Sequence, residues 1–126
     1  MNALEDVLAQ FTAELGMDPV PLERDLPVVF RFEHNGRLFL EPRGERILVY
    51  LEAPDPVRGP RAHMAALAAC DLRHRHPFPV RAGLTADDRL VFGVVFEDNQ
   101  FTLQALHAGI DLLIKLHVEV ARARAP

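Results

Sequence analysis

The chain has 126 residues, with 14 Lys and Arg against 18 Asp and Glu, giving a formal net charge of −4. That length fits one domain by the usual range of roughly 100–200 residues, and it can bury a core without disulfide or metal staples. The acidic balance, with Arg43, Arg46, Arg122 and Arg124 scattered among acids, excludes the basic stripe of a nucleic-acid binder.

The first amphipathic segment runs from about Asn2 to Leu15. Leu4, Val7, Leu8, Phe11 and Leu15 recur at helical spacing. Asn2 as N-cap and Glu5 three residues on make a capping box, and Asp6 adds favourable charge near the helix start. Gly16 suits the position just past the helix, where positive φ is needed. Met17 to Arg24, with Pro19 and Pro21, reads as an extended linker.

A meander of three strands follows. Leu26 to Glu33 alternates, with Val28, Phe30 and Phe32 on one face and Val29, Arg31 and Glu33 on the other. Asn35-Gly36, within His34 to Arg37, predicts a tight two-residue hairpin. Leu38, Phe39 and Leu40 begin the second strand, and Pro42-Arg43-Gly44 turns the chain again. Arg46 to Leu51 is the third strand, with Ile47, Val49 and Leu51 on one face and Leu48 and Tyr50 on the other. Apolar groups lie on both faces of this sheet. One face can bury the first helix; the other needs a second cover, from this chain or from a partner.

The proline-rich stretch Ala53 to Pro60 separates the halves. Pro60 suits the first position of a second helix, where its missing N–H costs nothing. This helix is expected to run to about His74, with Met64, Leu67, Ala68 and Leu72 on one side and Ala62, Ala65, Ala66 and Ala69 making the rest smooth. Phe78 to Leu84 and Leu90 to Phe96 are the fourth and fifth strands, joined by Ala86-Asp87-Asp88. Thr102 opens the last helix, to about Ala121, whose seam is Leu103, Leu106, Ile110, Leu113, His117 and Val120. The expected fold class is α+β, in the order α-β-β-β-α-β-β-α, with an antiparallel sheet flanked by helices over one domain, residues 1–126.

The N-terminal Met1 to Asp6 is acidic and lacks a signal-peptide layout, and no apolar run approaches the ~18 residues of a membrane span. The one cysteine, Cys70, can form no internal disulfide, which suits a reducing compartment. A cytoplasmic location without membrane insertion is expected.

Reactive chemistry is sparse. Cys70 and His74 share a helix face, with His76 and His63 near, but the spacing matches no zinc pattern. Asp87, Asp88, Glu97 and Asp98 lie in turns near solvent, unlike a carboxylate pair tuned for acid–base work. The chain has no serine and no Gly-rich phosphate loop before a helix. His117 falls in the apolar seam, as a core or interface histidine would. No catalytic, cofactor or metal site is expected.

The C-terminal third resembles a known family. Phe78 to Leu84, Asp88 to Phe92, Thr102-Leu103, Leu106-His107 and Leu112 to Leu116, with Phe11, Leu15 and Gly16 earlier, resemble the SycN type of class I type III secretion chaperone. The resemblance implies a bacterial dimeric protein that pairs with a second, YscB-type chaperone. The pair would bind the N-terminal region of a secreted gatekeeper of the YopN type. It implies a dimer contact through helix two and the strand after it, here Met64, Leu67, Ala68, Val80, Ala82 and Leu84. It implies a client contact through helix one and the first sheet, here Leu8, Phe11, Phe30 and Phe39. Homodimer and heterodimer stay open, because the proline-dense linker and alanine-rich helix two fall where a partner should sit. Two rivals remain: a regulatory adaptor of the same fold, and a small metal-dependent enzyme built on Cys70 and the histidines.

Overall fold

Hydrophobic periodicity sets the order of elements in the computed structural model, which describes residues 3–23, 26–56, 59–71 and 76–124. They run α1 (Ala3–Glu14), β1 (Val28–Phe32), β2 (Gly36–Arg43), β3 (Arg46–Glu52), α2 (Pro60–Ala69), β4 (Val80–Leu84), β5 (Leu90–Glu97) and α3 (Leu103–Arg124), with a short 3-10 turn at Asp98–Gln100.

Local signals explain most of the boundaries. Gly16 takes a φ of 68° after α1. Its amide donates to the Ala13 carbonyl at 3.1 Å, and the Met17 amide to the Thr12 carbonyl at 2.9 Å, the paired bonds of a Schellman cap. Pro60 occupies the first turn of α2. The Thr102 hydroxyl accepts a hydrogen bond from the Ala105 amide at 3.0 Å and caps α3. The proposed Asn2 cap lies outside the described residues, as do Leu72 and His74. The described part of α2 ends at Ala69, short of the expected run, with the Cys70 amide bonded to the Ala66 and Leu67 carbonyls.

The first hairpin differs from expectation. Phe32 pairs with Gly36, so the loop is the three residues Glu33 to Asn35, and Gly36 is the first residue of β2. Its φ is 91°, and a Cβ there would lie 1.9 Å from the Glu52 carbonyl oxygen. Close packing against β3 therefore takes the glycine into the strand. Pro42 also belongs to β2, opposite Ile47.

The five strands form one antiparallel sheet in the order β1-β2-β3-β5-β4. α2 carries the chain past β5, so β4 returns as an outer edge strand. One face of the sheet is the core. Val28, Phe30, Leu38, Leu40, Ile47, Val49, Leu51, Leu90, Phe92, Val94 and Phe96 are all buried there. α3 lies across β3 and β5, and α2 packs on α3. α1 joins this layer through Phe11, whose ring meets Phe30 edge-on at 5.2 Å and the His107 imidazole at 5.8 Å.

This arrangement corrects three expected client contacts. Leu8, Phe11 and Phe30 are buried core residues. A helical stripe looks the same whether a core or a partner covers it, and here the chain's own sheet and α3 do so.

Candidate interaction surfaces

Strand alternation sends the other set of side chains to the opposite face, which stays open to solvent. Register aligns Val29, Phe39, Tyr50 and Gly93 in one row across four strands. Phe39 and Tyr50 stack with centroids 4.8 Å apart and planes 6° from parallel. The Arg37 guanidinium lies 5.3 Å above the Phe39 ring, a cation–π contact. Leu48, Val91 and Val95 extend the apolar strip, and Gly93 and Gly83 leave a shallow furrow beside them. Partial burial, followed by the nearby Glu41 charge, pushes the Tyr50 phenol above its ordinary pKa.

The strip ends in charge. Glu52 points to the open face yet is buried, because Arg37 donates to its Oε1 from Nη2 at 2.7 Å and from Nε at 3.1 Å. Arg89 Nε stands 4.0 Å from the same oxygen. Arg89 also donates to the Pro54 carbonyl and, at 2.7 Å, to Asp87. Hydrogen bonds from Thr85 and then Arg89 hold the Asp87 carboxyl below its ordinary range. The residues Tyr50, Arg37 and Glu52 were not singled out from sequence. Their signal was present in the alternation they share with Phe39.

A second surface involves α2 and β4. Met64 is 69% exposed and Leu67 71%, with Ala68 beside them in sequence also exposed. On β4, Leu84 is 48% exposed, Ala82 is exposed and Val80 is half-buried. β4 pairs only with β5 among the described residues, leaving its outer edge as a template for another strand. His76 Nε2 lies 2.7 Å from the Ala69 carbonyl, tying the approach to β4 back to the end of α2.

These features match known proteins over nearly the whole chain. Residues 3–121 fit the family model of the type III secretory system chaperone SycN. The chain belongs to the SycN family. The Chaperone protein SycN of Yersinia enterocolitica is 28% identical over 123 residues, spanning 95% of this chain and 98% of that protein, and the SycN of Yersinia pseudotuberculosis matches equally. Solved structures share the fold at lower identity. The ExsC–ExsE complex gives a TM-score of 0.74 at 19% identity, covering 98% of this chain and 93% of that one. The HopA1–SchA chaperone–effector complex gives 0.73 at 15% identity, covering 94% of each. The Yersinia pestis secretion chaperone SycH, solved with a fragment of YscM2, gives 0.67 at 15%, covering 94% and 98%.

Within this SycN-family chaperone, His107 and His117 make structural contacts. His117 Nε2 donates to the Leu51 carbonyl at 2.8 Å, and its ring meets Phe92 edge-on at 4.9 Å. Burial pushes its pKa below the ordinary histidine value, partly opposed by that hydrogen bond. His107 Nε2 sits 2.7 Å from Glu14 Oε2, joining α3 to α1. Cys70 is half-buried, which raises its thiol pKa. Among the described residues, no three His, Cys, Asp or Glu side chains are placed to hold a metal. No described helix is long and apolar enough to cross a membrane.

Proposed function

We propose that this chain is a cytoplasmic, non-enzymatic subunit of a dimeric secretion chaperone. Its partner is a second small chaperone subunit, of the YscB type that the sequence resemblance implies. The pair holds the N-terminal region of a secreted gatekeeper or effector in an extended, export-competent state. Met64, Leu67, Ala68, Val80, Ala82 and Leu84 form the subunit contact. Phe39, with Tyr50, contacts the client. No cofactor, metal, nucleic acid or membrane insertion is involved.

One observation carries the assignment: large aliphatic side chains stand in solvent on α2 and β4 while the chain's own core is filled without them. Each would gain roughly 25 cal/mol per Å² on being covered. The open sheet face suits the client, because an extended segment can lay alternate side chains on it. The structural relatives support a protein client. HopA1–SchA is a chaperone–effector complex, and SycH was solved with a fragment of YscM2.

The test is the solution mass of the full chain, alone and co-expressed with a YscB-type chaperone from the same source. A 1:1 complex that keeps the secreted client soluble is expected. A homodimer indifferent to that second chain removes the YscB-type pairing. A monomer under both conditions refutes the chaperone assignment.

A further inference from the structure

Arg31 stands out on the open face. It is the register partner of Arg37, and alternation sends both side chains to the same side of the sheet. Directly opposed like charges are unfavourable. Arg37 is relieved by Glu52 and by the face of Phe39. Arg31 is exposed and has no carboxylate partner among the described residues. The carboxylates projecting from the neighbouring strands are engaged elsewhere, Glu52 by Arg37 and Glu41 by Arg43 at 3.1 Å. Arg31 and Arg37 border a cleft with Phe32, Gly36, Glu52 and Arg89.

The charged row lies two residues along the strands from the apolar row of Val29, Phe39 and Tyr50. That step is about 6.5–7 Å at the ordinary strand rise. It equals the distance between alternate residues of an extended peptide. We infer that the client segment covering this face carries an acidic residue two positions from an apolar one, the carboxylate seated at Arg31 and Arg37 and the apolar side chain on Phe39 and Tyr50. This rests on the client-binding assignment and adds the client's chemistry to it. A second copy of this chain is a poor occupant: an isologous contact would bring another set of arginines and no spare strand carboxylate.

The test uses two fluorescein-labelled nonapeptides of alternating valine and threonine. One has glutamate two positions after its central valine; the other has lysine there. Fluorescence polarisation with the full chain should show the glutamate peptide bound about fivefold tighter or more, the range of a charge-assisted hydrogen bond. Arg31→Glu should erase or reverse that preference while circular dichroism stays unchanged. Phe39→Ser should weaken both peptides. If Phe39→Ser weakens both but the unaltered chain shows no preference, or Arg31→Glu leaves it intact, the acidic requirement is overturned and the client face stands. If neither peptide binds, or Phe39→Ser changes nothing, the client face falls and this inference with it.

Discussion

Replacing Met64 and Leu67 together with aspartate gives the sharpest test of the subunit surface. Burying a whole Leu or Met side chain is worth about 1.5–3 kcal/mol. With 69% and 71% of these residues in solvent, covering what remains contributes about 1–2 kcal/mol each. Removing both forfeits about 2–4 kcal/mol per subunit. At 1.4 kcal/mol per tenfold, the subunit Kd should weaken about 30- to 1,000-fold. Introduced carboxylates add their own desolvation cost. Sedimentation equilibrium of the chain with its co-expressed partner reads the change directly. Thermal melting of the isolated chain should barely move, because exposed substitutions usually fall within about 0.5 kcal/mol. An unaltered complex mass would refute the α2 contact. An unfolded variant would refute the exposed placement itself.

Two further outcomes test the fold. Partial burial depresses the His117 pKa in the folded chain, so as pH falls the unfolded chain takes up the proton first. Its linkage to stability is therefore flat above the unfolded pKa of about 6.5 and turns unfavourable as pH falls below it. Chemical denaturation between pH 7 and 5 should show the stability gap between the native chain and His117→Gln narrowing with acid; a constant gap would contradict it. Gly36→Ala should cost about 2–4 kcal/mol, because it combines a positive φ with a clash against β3. A urea midpoint that changes no more than that of an ordinary surface substitution would exclude this packing.

Much of the architecture was legible because it rests on local signals. Gly16, Pro60 and Thr102 mark helix ends through chemistry confined to a few residues. Alternation in β1 and β3 sorts the side chains into the two faces the sheet has, with Val28, Phe30, Ile47, Val49 and Leu51 on the buried one. What depends on distant partners was not legible. Leu8, Phe11 and Phe30 carry the same pattern whether covered by a client or by the chain's own core. Glu52 lies just past the expected end of the third strand, yet Arg37 and Arg89 converge on it from other parts of the chain. Asn35-Gly36 signalled a two-residue turn, but contact with the Glu52 carbonyl draws Gly36 into the strand.

The strand order also constrains how the molecule assembles. β1, β2 and β3 pair with immediate neighbours, and β4 with β5, so each group closes through short loops. Joining them requires β3 to meet β5 across the intervening α2 and β4. Closing that longer loop costs entropy that grows as about (3/2)RT ln n, and low-separation contacts tend to form first. The meander and the β4–β5 hairpin are thus the natural early units, with their union the slow step. α2 and the free edge of β4 sit at the periphery of that union. A subunit docked on them would hold the late-joining half in place, making association a brake on unfolding as well as a route to the client.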